Sequence, residues 1–126
     1  MITLEHIGIP ARDTRRLAEW YRDKLGFKII FDSKTDPPVF FVQDGNGMAI
    51  EIVPPGPDGK VENAHSTHFA LISEDYEKTI AELEQKGIEF EPEMDNPFFG
   101  GTRIRFFTDP EGHRHQVIWR KESLPR

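Results

Sequence analysis

The sequence predicts an α+β protein made of two copies of a β-α-β-β-β module. Three observations carry this. A short alternating run with one histidine in a fixed place occurs twice, as Leu4-Glu5-His6-Ile7-Gly8-Ile9 and Ser66-Thr67-His68-Phe69-Ala70-Leu71. A segment with helical apolar spacing follows each run and stops at a glycine. Each half then closes on a glycine-containing turn that feeds a strand with one polar residue among apolar ones.

The elements follow in order. After the first run, Asp13 or Thr14 can cap a helix whose apolar stripe is Leu17, Trp20, Tyr21 and Leu25, with Gly26 as its stop. Phe27 to Phe31 and Val39 to Val42 read as strands. Asp44-Gly45-Asn46-Gly47 then turns the chain into Met48-Ala49-Ile50-Glu51-Ile52-Val53. The Pro- and Gly-rich stretch from Pro54 to Gly59 reads as a linker. In the second copy Ser73 or Asp75 can cap, Tyr76, Ile80 and Leu83 form the stripe, and Gly87 ends it. Ile88-Glu89-Phe90 and Arg103 to Phe107 read as strands. Asp109-Pro110-Glu111-Gly112 leads into the last strand, His113 to Trp119. In both copies the aspartate precedes the strand's polar residue (Glu51 or Gln116) by seven positions, and the glycine precedes it by four. The modules span approximately residues 3–53 and 66–119 within one domain, 1–126, and the tail from about Glu122 is expected to fray.

Bulk properties narrow the function. A chain of 126 residues suits one domain and buries about two thirds of its unfolded surface without staples. It has no cysteine, which removes disulfides, thiolate metal sites and a cysteine nucleophile. The net charge of −6, from 16 basic and 22 acidic side chains, gives no general attraction to nucleic acid. The first residues lack the pattern of a signal peptide, and no apolar run approaches the roughly 20 residues of a membrane helix. The expectation is a cytoplasmic protein with no nucleic-acid partner and no membrane partner.

Alternation along the strands locates the chemistry. Ile7 and Ile9 oppose His6, and Ile50 and Ile52 oppose Glu51. Phe69 and Leu71 oppose His68, and Val117 and Trp119 oppose Gln116. On this reading the large apolar side chains pack under the helices, and one metal-capable residue per strand faces a shared concave side. Taken singly, each of these residues is ordinary: a strand histidine is usually structural, and a glutamate or glutamine beside isoleucines usually faces water. Together, at equivalent places in two copies of one unit, they read as a site for a divalent metal such as zinc, nickel, manganese or iron.

The doubled module, the opening Leu-x-His-Ile-Gly-Ile, the segment Gly100-Gly101-Thr102-Arg103-Ile104-Arg105-Phe106-Phe107 and the turn Asp109-Pro110-Glu111-Gly112 resemble the vicinal oxygen chelate superfamily, most closely its glyoxalase I-like branch. The resemblance covers about residues 3 to 119. It implies that the modules form a curved mixed-sheet half-barrel around a metal, with His6, Glu51, His68 and Gln116 as ligands from the first, fourth, fifth and last strands. It also implies a homodimer and a small-molecule substrate. The bacterial glyoxalase I pattern resembles His-Glu-His-Glu, so Gln116 is a departure. An amide can coordinate but takes up no proton at ordinary pH. The site keeps a formal charge of about +1, and Glu51 becomes the general base.

The implied reaction is an isomerisation or lyase step on an α-oxo adduct, as in lactoylglutathione lyase. Methylmalonyl-CoA epimerase is the alternative, but it needs two proton-transfer groups and only Glu51 is evident. Ring-cleaving dioxygenases resemble a two-His, one-carboxylate iron site with the carboxylate where Gln116 stands, which disfavours them. Bleomycin-binding relatives use the half-barrel as a metal-free cleft. Phe40, Phe41, Phe98, Phe99 and Phe106 are available to line such a cleft, although core packing is the simpler expectation for most of them. Asn96 to Gly101 reads as a mobile loop, with a plain surface loop as the alternative. Arg103 and Arg105 share a strand face and are expected to be solvated or ion-paired, with anion binding as the alternative. His65, His113 and His115 are read as structural or exposed.

Overall fold

The computed structural model describes residues 1, 4–61, 67–96 and 101–124. His65, the first residue of each proposed module and the Pro97–Gly100 part of the expected loop lie outside them. The element order is β1 (His6–Pro10), α1 (Thr14–Leu25), β2 (Lys28–Asp32), β3 (Phe40–Gln43), β4 (Ala49–Val53), β5 (Ala70–Ile72), α2 (Tyr76–Gln85), β6 (Met94–Asn96), β7 (Thr102–Thr108) and β8 (Arg114–Arg120). This is β-α-β-β-β written twice. The chain forms two compact units: Met1–Glu62 with Pro110–Gly112, and Asn63–Asp109 with His113–Arg126.

The two units share one sheet topology. The strand order is β1-β4-β3-β2 in the first and β5-β8-β7-β6 in the second. In each, the module's first strand runs parallel to its last, and the other pairs are antiparallel. Both sheets are open and mixed.

Local chemistry explains the helices. Asp13 caps α1 by accepting from the Arg16 N–H at 2.9 Å, and Asp75 caps α2 by accepting from the Lys78 N–H at 3.0 Å. Both helices end where a glycine takes the left-handed conformation, Gly26 at φ 73° and Gly87 at φ 90°. That geometry lets Phe27 and Ile88 reach back to the Tyr21 and Leu83 carbonyls. In the first unit α1 buries Leu17, Ala18 and Tyr21, and the sheet buries Phe40, Val42, Ile50 and Ile52. Each buried Leu, Ile, Val or Phe side chain among them contributes about 1.5–3 kcal/mol on burial. In the second unit Tyr76, Ile80 and Leu83 are the buried stripe, as the spacing predicts.

The two Asp-x-x-Gly turns are built alike. The Asp44 carboxylate accepts from the Met48 N–H at 2.8 Å, and the Asp109 carboxylate accepts from the His113 N–H at 3.0 Å. In both, the aspartate's own N–H donates to the carbonyl four residues on. The turn of the second copy also serves the first unit. Glu111, buried, accepts from the backbone N–H groups of Arg12 at 2.7 Å and Asp13 at 3.1 Å.

Three expectations need correction. The strand expected at Ile88–Phe90 is a single bridge between Phe90 and Phe107, and β6 forms at Met94–Asn96 instead. The Arg105 guanidinium occupies the carbonyls of Glu91 (2.9 Å) and Phe90 (3.5 Å), which a longer ladder would need. Val39 stands outside β3, its N–H bonded to the Ser33 hydroxyl at 2.8 Å. The one-sided apolar rule holds for β4 and fails for β8. Trp119 is 37% exposed, while Ile118, on the Gln116 face, is buried against its partner Ile104. Trp119 lies opposite Arg103, whose side chain is itself part-exposed.

Arg103 is ion-paired, as expected, whereas Arg105 donates to backbone carbonyls. Arg103 bonds Glu77 at 2.6 Å and stands 3.0 Å from Glu93, with its guanidinium over the Tyr76 ring. Burial and the Glu93 carboxylate push the Tyr76 phenol well above its ordinary range, so it stays a neutral donor to Glu93.

Candidate functional site

In the first unit, β4 places Glu51 on the face opposite Ile50 and Ile52, both of which are buried. Its neighbour on β1 is Gly8, and its neighbour on β3 is Phe41. His6 lies two residues before Gly8 and so shares that face. The His6 Nε2 stands 3.8 Å from Glu51 Oε1, with both side chains about one-third exposed. His6 Nδ1 bonds Glu5 Oε1 at 2.8 Å. A neutral imidazole whose Nδ1–H donates to a carboxylate leaves the Nε2 lone pair to face Glu51 and any bound cation. The His6 ring meets the Phe41 ring edge-on, with centroids 5.2 Å apart.

The second unit repeats this pattern. Gln116 on β8 pairs with Ala70 on β5 and with Phe106 on β7. His68 precedes Ala70 by two residues, is exposed, and meets Phe106 edge-on at 6.2 Å. Gln116 is only 5% exposed, and its backbone N–H donates to the Phe69 carbonyl at 2.9 Å.

The structure therefore brings His6 to Glu51 in one unit; in the other, His68 stands just before β5, outside the strand expected to carry it, while Gln116 is buried on β8. The pairs match position by position: histidine, aromatic edge, and a polar residue on the last strand. Among the described residues, no group of three or more His, Cys, Asp or Glu side chains is arranged to hold a metal ion. The donor set still fits a divalent cation in kind. His6 Nε2 and Glu51 Oε1 are near enough to share one ion, given donor distances of about 2.0–2.2 Å.

Sequence reasoning missed Glu5 as a site element, and it named Phe41 and Phe106 for a cleft lining while expecting core packing for most such rings. Phe41 and Phe106 each precede the polar residue by ten positions, so the repeat itself carried the signal. Phe40, by contrast, is core at 2% exposure. Glu5 carried no such signal, because a residue beside His6 on an ideal strand points to the opposite face. A groove at the start of α1, lined by Arg12, Arg15, Asp36 and Pro38 among others, contains none of these residues.

The profile of the glyoxalase/bleomycin resistance protein/dioxygenase superfamily matches residues 3–117. The uncharacterized protein YwkD of Bacillus subtilis (strain 168) is 30% identical over 116 residues, covering 86% of this chain and 90% of that protein. A member of the same superfamily from Sphaerobacter thermophilus DSM 20745 superposes with a TM-score of 0.76 at 26% identity, covering 94% of this chain and 98% of that one. A variant of the genomically encoded fosfomycin resistance protein FosX from Listeria monocytogenes, complexed with Mn(II) and 1S,2S-dihydroxypropylphosphonic acid, superposes with a TM-score of 0.68 at 19% identity, covering 93% and 90%. The fold, the repeated site pattern and the match along nearly the whole chain lead to one assignment: this protein belongs to the glyoxalase/bleomycin resistance protein/dioxygenase superfamily.

Proposed function

We propose that this chain is a metal-dependent lyase or isomerase acting on a small substrate with two neighbouring oxygens. His6, Glu51, His68 and Gln116 hold a divalent zinc, nickel, manganese or iron ion. The observation that carries this reading is the His6–Glu51 pair, an imidazole nitrogen and a carboxylate oxygen 3.8 Å apart on a half-open sheet face. The FosX complex supports the substrate class, since that protein is complexed with both Mn(II) and a molecule that carries adjacent hydroxyls.

When bound, the ion supplies Lewis acidity toward the two substrate oxygens. The chain's own residues do the rest. His6 binds through Nε2 while Glu5 holds its Nδ1 proton. Glu51 takes the proton from the carbon beside the substrate oxygens; a positioned base of this kind is worth about 10²–10⁴-fold. Gln116 offers an amide oxygen and moves no proton. Phe41 shields one side of His6 from water. The two modules act as one domain, and the protein works as a cytoplasmic homodimer; the superfamily resemblance supports the dimer.

A metal-free binding cleft is the second reading. It is favoured by the amide at Gln116, which removes the carboxylate that the glyoxalase I pattern carries there. Elemental analysis of protein purified without chelator separates the two. About one transition metal per chain, lost in His68→Ala and reduced in Gln116→Ala, supports the enzyme reading. No metal, and no uptake on adding zinc, nickel or manganese, overturns it in favour of the cleft.

A further inference from the structure

We propose that His115 is a positioning residue that sets the place of His68 by clamping the backbone at Phe69. The proposal rests on the reading of His68 as a site residue. His115 is 2% exposed and lies on the opposite face of β8 from Gln116. Its Nδ1 accepts from the Phe69 N–H at 3.1 Å, and its ring stacks on the Phe69 ring at 4.4 Å with planes 6° apart. An Nδ1 that accepts from an amide puts the ring proton on Nε2, which faces Asp109 Oδ2 at 3.3 Å. Asp109 is itself fixed, because its other oxygen accepts from the His113 N–H.

Phe69 is thus held on both sides. Its N–H goes to the His115 ring, and its carbonyl takes the Gln116 N–H at 2.9 Å. Residue 68 is the next link of that backbone, so the clamp fixes where the His68 side chain starts relative to Gln116.

The first copy shows that the fold does not require a histidine here. The residue before Glu51 is Ile50, which pairs with Ile7 and is buried as plain apolar core. In the second copy the same place, before Gln116, carries a buried polar ring that needs two partners. A buried polar group costs free energy unless it is paired, so a working isoleucine in one copy points to a task for the histidine in the other.

The test uses metal-free and zinc-titrated full-length protein. His115→Ile supplies the first copy's residue, and His115→Phe keeps a stacking ring without an acceptor. His115→Asn restores an acceptor near the Nδ1 position. In metal-free protein, hydrogen exchange at the Phe69 amide is expected to rise about tenfold in His115→Ile and His115→Phe. The nuclear Overhauser contact between the His68 and Phe106 rings is expected to weaken in both. His115→Asn should return both readouts toward wild type. Zinc affinity should fall about 10–100-fold in the first two variants and recover in the third. Unchanged exchange and ring contacts in cooperatively folded His115→Ile and His115→Phe overturn the clamp, and so does His115→Asn behaving like them. If His68→Ala binds zinc as tightly as wild type, the metal reading of His68 fails. The metal-free exchange and ring contacts then still decide the clamp alone.

Discussion

Glu51 and Gln116 occupy one position of the repeat with different chemistry, and that difference is testable. Gln116→Glu adds a second carboxylate to a site that otherwise carries one. Its affinity for zinc or manganese is expected to rise about tenfold or more by isothermal titration, because a charged donor replaces a neutral one. Glu51→Gln removes the only carboxylate of the set. Metal should bind far more weakly, and any turnover on vicinal-oxygen substrates should drop by about 10²-fold or more. Unchanged turnover in Glu51→Gln would remove it from the proton-transfer role. At this scale the sequence was informative where the repeat and the alternation agreed, as at His6 and Glu51, which the structure brings together. The contacts of Glu5 with His6 and of His115 with Phe69 were not legible, because each depends on side-chain rotation after the strands have formed. Residues that spacing cannot connect met only in three dimensions.

At the scale of elements, helix caps and turns were legible because their chemistry is local. Asp13 and Asp75 each offered a choice with a neighbour, and the structure selected the residue with a carboxylate three positions before the bonded N–H. Asp13→Ala should cost about 1 kcal/mol in thermal or denaturant unfolding. The β6 strand was illegible because a long-range side chain decided it: Arg105 claimed the carbonyls at Phe90 and Glu91. The same sheet edge has a pH signature. The Arg114 guanidinium, bonded to Glu91 at 2.8 and 2.9 Å, holds the Glu91 carboxyl below the usual carboxylate range, and Arg103 does the same for Glu93. A carboxylate with a depressed folded pKa contributes stability above its unfolded pKa and loses it as pH falls through the folded one. Arg114→Met should therefore be less stable than wild type at neutral pH, and the difference should vanish once Glu91 is protonated. Solvent screening at this exposed pair makes the difference small. Chemical denaturation across the acid range measures it, and a gap that persisted at low pH would assign the loss to Arg114 packing over Phe106.

At the scale of the molecule, the doubled topology was the most legible feature, because two independent sets of markers fell at equal spacing. What the sequence concealed is that the copies are not self-contained. Glu111 belongs by sequence to the second copy and by contact to the first unit. Glu111→Ala leaves two N–H groups at the entry to α1 without their acceptor. The expected loss is about 1–3 kcal/mol in equilibrium unfolding. A loss below a few tenths would mean that water replaces the carboxylate there.

The Glu111 contact also bears on synthesis. A ribosome builds the chain from its N-terminal end, so the entry to α1 waits for a carboxylate that lies 99 residues further along. A nascent chain halted within Pro54–Gly59, or a gene cut there, yields a first half with every helix and strand encoded and its finishing acceptor absent. Such a half is expected to be less stable than the same segment in the full chain, by about the loss that Glu111→Ala reports.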